Sequence, residues 1–217
     1  MLRQILHFLF PSPCLSCGFL GEVLCAECFG QLRFEPHRRI TDKLPVVSAL
    51  YYEEKDVLFG QLIHAFKYKH QADLAHHFLP YLLSSFRLFF DPKEVLLIPV
   101  PLHKSRLLER GYNQAELLAR LLAKWTGAKV FYGLVRKRDT GHQAHVHQRG
   151  ERLQNMQNAF ALKEPLPHHS HIVLIDDIVT SGATLQACAQ ALQSMHPLSI
   201  QALTLADRDF RPLHPWD

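Results

Sequence analysis

Apolar positions along this chain switch between two periods. Ile172 to Ile175 and Val95 to Val100 are continuous runs of β-branched residues, leucine and proline, the pattern of strands buried on both faces of a parallel sheet. Val46 to Tyr52, Lys129 to Tyr132 and Ser199 to Leu205 read as further strands. Elsewhere the spacing is helical: Leu58, Leu62, Ile63 and Phe66 form one face, and Leu74, Phe78, Leu82 and Phe86 another. A helix from Asn113 to Trp125 stops at Gly127, and one carrying Leu185 and Leu192 ends before Pro197. Strands alternating with helices predict an α/β fold, a mainly parallel sheet flanked by helices and joined by right-handed crossovers. The polar stretch "RFEPHRRITDKLP", punctuated by Pro36 and Pro45, reads as a connector. It separates an N-terminal segment, residues 1–44, from a main domain, residues 45–217.

Composition narrows this picture only modestly. With 217 residues, 47% of them hydrophobic, the chain can hold one full-sized core and a small appendage. A formal charge of +4, which 15 histidines raise at lower pH, tilts toward anionic ligands without requiring nucleic acid. No apolar run reaches the length of a membrane span; Phe78 to Phe90 is broken by Pro80, Ser84, Ser85 and Arg87. The opening "MLRQILHFLFPSPC" is too short, and too interrupted at His7, for a secretory signal. Leu2 to Phe10 reads instead as a short amphipathic helix packing on the main domain. The expected location is cytoplasmic, with no integral membrane association.

The cysteines agree with that location. Cys14, Cys17, Cys25 and Cys28 form two Cys-x-x-Cys pairs separated by seven residues. In a reducing compartment such pairs favour a metal over disulfides, and four thiolates suit tetrahedral zinc; a redox role is the other reading. Gly18 and Gly21 permit the tight turns that bring the sulfurs of each pair together. A segment this short buries too little surface to fold alone, so structural Zn²⁺ would supply the missing stability. Cys188, among alanines on a helical face, reads as a core residue.

The chemistry concentrates in "VLIDDIVTSGATL", residues 173–185. An apolar strand runs into Asp176 and Asp177, and a small, hydroxyl-rich turn leads into a helix. That places the turn at the carboxyl end of a strand, where open α/β sheets bind ligands. Backbone N–H groups at the helix start, with the hydroxyls of Thr180, Ser181 and Thr184 beside them and Gly182 allowing close approach, make a phosphate cradle. The two acids would repel a phosphate and suit hydroxyls or a hydrated metal ion. A ribose 5-phosphate satisfies both halves. The plainer reading is a buried strand followed by a capped helix.

Two basic stretches extend the argument. "PVPLHKSRLLERGYNQAELLA" leaves the carboxyl end of another strand with Lys104, Arg106 and Arg110 bunched before a helix, a second anion site facing the same crevice. "LVRKRDTGHQAHVHQRGERLQNMQNAF" carries Arg136, Lys137, Arg138, Arg149 and Arg152 without clear periodicity, the type of loop that closes over a reactive ligand. His142, His145 and His147 suggest a second metal, but their irregular spacing on a loop favours surface histidines.

Residues 173–185 resemble the 5-phosphoribosyl-1-pyrophosphate (PRPP) signature of type I phosphoribosyltransferases. With the four-cysteine knuckle, "RGYNQ", Arg138, Thr140, Gln143, Arg152 and Asn155 ahead of Ala159-Phe160, the chain resembles the ComF family over nearly its whole length. Ser181 stands where a second threonine is frequent, and the insert "HQAHVHQRG" replaces a shorter continuation. The resemblance implies a type I phosphoribosyltransferase fold that binds PRPP with Mg²⁺ and acts in natural competence, the uptake of DNA and transformation. It assigns the ribose diol to Asp176 and Asp177 and the 5-phosphate to Thr180, Ser181, Gly182, Ala183 and Thr184. The departing pyrophosphate falls to Lys104, Arg106 and Arg110, with Arg136 or Lys137 closing over it. Two other roles stay open: a non-catalytic accessory that binds single-stranded DNA or a competence helicase, and a PRPP sensor. The family connection places the protein at the inner face of the membrane, through a DNA-uptake complex.

Overall fold

The computed structural model describes residues 12–32, 34–41, 43–52, 57–138, 159–167 and 170–208. The expected helix over Leu2 to Phe10, the His142–His147 cluster and Arg149 and Arg152 lie outside these residues. The strands are β1 (Phe34–Thr41), β2 (Leu44–Tyr51), β3 (Val95–Pro99), β4 (Lys129–Val130), β5 (Leu134–Arg136), β6 (Phe160–Leu162), β7 (His171–Val179) and β8 (Ser199–Asp207). The helices are α1 (Ala26–Gly30), α2 (Val57–Tyr68), α3 (Leu74–Phe89), α4 (Lys104–Arg110), α5 (Gln114–Thr126) and α6 (Ala183–Gln193). Six strands form one sheet in the order β1-β2-β8-β7-β3-β4, and β5 and β6 pair as a separate ribbon. All pairs in the large sheet are parallel except β1 with β2. The expected α/β architecture, a mostly parallel sheet between helices with a four-cysteine segment before it, is what the chain adopts.

The continuous apolar runs follow from burial on both faces, and the pleat divides them between two cores. Leu97, Val173, Ile175, Leu203 and Leu205 pack with Phe66 of α2, Phe78 of α3 and Leu118 of α5. Their neighbours Leu96, Ile98, Ile172, Leu174 and Ala202 pack with Leu185, Cys188 and Leu192 of α6. Cys188 is fully buried there, as its alanine-rich surroundings suggested.

Three local readings change. The expected connector contains β1, an edge strand paired antiparallel with β2. Its side chains are mostly polar and partly exposed, so no apolar period announces it. Pro36 is tolerated because it sits where the β1–β2 register shifts, between Phe34 and His37, on an edge. The strand expected over Lys129 to Tyr132 is only two residues long. Finally, the basic stretch read as preceding a helix contains the helix α4, capped by the His103 ring nitrogen on the Ser105 N–H and ended by Gly111 at φ 78°.

The cysteine segment is not a loose appendage. Leu24, fully buried, joins Cys14, Cys25, Cys28 and Leu32 in the core shared with α2, α3 and the sheet. Phe29 lies against Tyr81 of α3 with ring centroids 5.0 Å apart, and the Tyr81 hydroxyl donates to the Phe29 carbonyl at 3.1 Å. Truncating Leu24 therefore opens a cavity in the main core. Leu24→Ala should lower the stability of the whole protein by about 2–5 kcal/mol, read as a shifted denaturant midpoint of the helical circular-dichroism signal. An unchanged midpoint would mean that the segment folds independently.

Candidate functional site

The site exists because β7 outruns its neighbour. β3 ends at Pro99, and the last bond between these two segments runs from the Val100 N–H to the Ile175 carbonyl at 2.9 Å. Beyond it, β7 continues to Val179, paired on its other side with Thr204, Ala206 and Asp207 of β8. The chain leaves β3 toward β4 and leaves β7 toward β8, so the gap lies at a topological switch point. A cavity of about 310 Å³ fills this place. Asp176, Asp177, Thr180 and Thr184 line it from the β7–α6 connection, Arg106 and Arg110 from α4, and Arg136 from β5.

The two acids lie within β7, not after it, and alternation separates them. Asp177 shares the face of Val173 and Ile175, toward α2; Asp176 shares that of Ile172 and Leu174, toward α6. On the first face the Lys67 ammonium, in the last turn of α2, meets the Asp177 carboxylate at 3.0 Å. Burial pulls the Lys67 pKa down, but Asp177 outweighs it and the net shift is upward. On the second face, burial first and the Asp177 charge second raise the Asp176 pKa from 3.8 to about 7, against the pull of Lys67 and Arg136. Each carboxylate also accepts the next backbone N–H: Asp176 that of Asp177 at 2.9 Å, Asp177 that of Ile178 at 2.7 Å.

"RGYNQ" builds the opposite wall. The Tyr112 hydroxyl and the Gln114 amide both donate to the Phe66 carbonyl, at 2.6 and 2.9 Å, satisfying the end of α2 just where Lys67 must enter the cavity. Asn113 caps α5 by accepting the Ala115 N–H and donates to the Val100 carbonyl. Arg110 is buried, donates to Gln114 and to the Tyr68 hydroxyl, and stacks 5.0 Å over the Tyr68 ring. Its Nε has no partner among the described residues, an orphaned charged donor on a cavity wall. Arg106 is paired with Glu109 at 2.7 Å.

Thus seven of the expected residues line one cavity. Lys104 and Lys137 are exposed and stand outside its lining, as do Ser181, Gly182 and Ala183. Gly182 has φ 77°, and a side chain there would collide with Thr41 of β1, so the glycine accommodates protein as well as any ligand. Lys67, Asn113 and Gln114 add further polar groups to the lining. Lys67 was missed because a lysine ending a helix is ordinarily a solvated residue; only Phe66 beside it hinted at burial.

The second candidate is the cysteine cluster. The four Sγ atoms of Cys14, Cys17, Cys25 and Cys28 lie within 4.8 Å of one another, with no disulfide among them. The Cys25 N–H points at the Cys14 sulfur, 3.5 Å away, and Gly18 turns the first knuckle at φ 77°. Burial raises the Cys14 pKa, but backbone N–H groups of Cys17, Cys25 and Ser16 outweigh it and bring it to about 6. Cys28 is pushed up to about 12, since burial and the neighbouring thiols overcome a lowering bond from Ser16. Four free sulfurs gathered this closely fit a soft, tetrahedrally bound metal ion. Among the described residues no helix is long and apolar enough to cross a membrane.

Residues 107–215 match the model of the phosphoribosyl transferase domain. Competence protein F of Haemophilus influenzae is 29% identical over 94% of this chain and 87% of its own length. DNA utilization protein YhgH of Salmonella typhi is 34% identical, covering 89% and 83%. Competence protein ComFC of Bacillus subtilis is 31% identical, covering 88% and 76%. Lys67, Arg106, β1 and the cysteine cluster all precede the matched domain.

The Asp176 shift carries a sign. Unfolded, its carboxyl loses its proton near 3.8; folded, near 7. Between these values the native state holds a proton that the unfolded state has lost, so stability falls as pH rises and the full cost is present above the folded value. Asp176→Asn keeps the acceptor for the Asp177 N–H and removes that cost. Without ligand, its melting temperature should exceed the parent's by a margin that grows from about pH 4 and levels off above about pH 7. A margin independent of pH would contradict the shift.

Proposed function

The chain belongs to the ComF family, whose relatives span most of its length and which carries the phosphoribosyl transferase domain, and on that premise we propose that its crevice binds PRPP with Mg²⁺ and transfers the phosphoribosyl group. One observation carries the reading: a carboxylate pair and a hydroxyl turn on a single β7–α6 connection face, across the same cavity, an arginine Nε without a partner among the described residues. Few ligands ask for a diol acceptor, a phosphate cradle and a second anion site together.

In this reading the turn from Thr180 to Thr184 holds the 5-phosphate with backbone N–H groups and the hydroxyls of Thr180, Ser181 and Thr184. Asp176 and Asp177 take the ribose diol, and the Lys67 ammonium, 3.0 Å from the Asp177 carboxylate, holds that side chain in place. Arg106, Arg110 and Arg136 neutralise the pyrophosphate, with Lys104 and Lys137 drawn in from the rim. The bond between the anomeric carbon and the pyrophosphate oxygen breaks, and the electron pair leaves with pyrophosphate. A lone pair of the acceptor forms the new bond to the same carbon. Interactions that strengthen as negative charge gathers on the leaving group accelerate this step, so catalysis is electrostatic and positional. Carboxylate oxygens of Asp176 and Asp177 fit a hard cation, and Mg²⁺ bound with the ligand would supply further neutralisation of the pyrophosphate. The four cysteines would hold a structural Zn²⁺.

The names of the relatives, two competence proteins and a DNA utilization protein, support a place in DNA uptake and transformation; single-stranded DNA or a competence helicase is the partner proposed with it.

Calorimetry should find magnesium-dependent PRPP binding that Asp177→Asn weakens at least about tenfold, since a diol hydrogen bond to a charged acceptor is lost. Equal affinity in parent and variant would sink the assignment. Freshly purified, reduced protein should carry one zinc per chain by elemental analysis. Metal-free protein with the same fold would reject the structural site.

A further inference from the structure

We infer that Arg39 and Thr41 of β1 are positioning residues for the turn from Thr180 to Thr184, and through it for a ligand's 5-phosphate. The inference rests on the PRPP reading of that turn. β1 precedes the phosphoribosyl transferase match, and neither residue lines the cavity, so they act from behind.

Arg39 spans two groups at once. Its Nη2 donates to the Thr180 carbonyl at 2.7 Å and to Asp207 Oδ1 at 3.1 Å, while its Nε donates to Asp207 Oδ2. Asp207 is fully buried at the end of β8. Its carbonyl accepts the Tyr52 N–H at 3.3 Å, it pairs with Val179, and the following residue, Arg208, donates its N–H to the Val179 carbonyl at 3.1 Å. The guanidinium therefore ties the first carbonyl of the turn to a rigid point shared by β2, β7 and β8. Because Asp207 neutralises it, Arg39 has little charge to offer an anion directly.

What it offers is orientation. In a planar trans peptide the C=O and N–H point in opposite directions. Holding the Thr180 carbonyl toward β1 thus aims the Ser181 N–H away from β1. Two residues on, the Thr41 side chain occupies the space where any side chain on Gly182 would lie, and Thr41 is itself buried. One residue fixes the peptide plane and the other blocks retreat of the turn. Donors preorganised in this way cost no rearrangement when an anion arrives.

The ligand's two ends separate positioning from mere stability. Ribose 5-phosphate uses the turn, magnesium pyrophosphate does not, and PRPP uses both sites. Arg39→Lys keeps a cation for Asp207 but lacks the fork that reaches Thr180 as well. Thr41→Ser removes only the methyl group behind Gly182. In the full-length zinc-loaded protein, calorimetry should show Arg39→Lys losing about tenfold in affinity for ribose 5-phosphate and PRPP, with pyrophosphate binding within about twofold of the parent. Thr41→Ser, the milder change, should shift the same two ligands in the same direction and decides the matter if Arg39→Lys does not fold. An equal loss for all three ligands would mark a structural role and overturn the inference, as would no loss in a folded variant. If the parent itself binds neither ribose 5-phosphate nor PRPP, the PRPP reading fails and the inference falls with it.

Discussion

The site depends on the unequal lengths of two neighbouring strands. β7 has nine residues and β3 five, and they start in register at His171 and Val95. While β3 runs alongside, β7 is buried on both faces. Past Pro99 it keeps β8 on one side and has a crevice on the other. Its side chains go on alternating, so the strand that divides the two cores also delivers one carboxylate to each face of the opening. β8 keeps the overhanging segment ordered. Core and site are thus consecutive stretches of one strand, separated only by where a neighbour stops.

Placing adjacent carboxylates in such a position is costly, because each loses water and each repels the other. The pleat reduces the repulsion by turning them apart, and Lys67 compensates one of them. Asp176 is left with the larger share of the cost, which its raised pKa records. The facing wall carries the opposite charge. Arg110 is held flat against Tyr68 and Gln114 with one donor unused among the described residues, and Arg136 reaches in over the Phe160 ring at 5.6 Å. The ligand proposed for the crevice, a polyanion with a diol at its centre, would relieve both walls at once, its charges meeting the arginines and its hydroxyls the acids.

The N-terminal third of the chain is part of this arrangement. α2 supplies Lys67, and the residues that end α2 properly, Tyr112 and Gln114, come from beyond the next strand. β1 stands behind the turn through Arg39 and Thr41. The cysteine segment, directly before β1, shares its buried residues with α2 and α3. Such contacts explain why the relatives align over most of this chain and not only over the matched domain.

Chemistry that depends on near neighbours was legible in the sequence. Ile172 to Ile175 announced a doubly buried strand, the two Cys-x-x-Cys pairs announced a four-sulfur cluster, and residues 173–185 announced a strand, two acids and a hydroxyl turn. In each case the partners lie within a few residues, or the signal is a period. β1 was not legible, because a polar edge strand becomes a strand only by pairing with β2. Neither was α4, whose seven residues are too short for a period and are bounded instead by a cap at His103 and the left-handed Gly111. Lys67 and Arg39 look like ordinary surface cations until the fold brings each to a carboxylate more than a hundred residues away in the chain, Asp177 for one and Asp207 for the other. Local sequence rules report torsional preference and burial periodicity, whereas a long-range ion pair depends on which strands become neighbours, and only the completed sheet decides that.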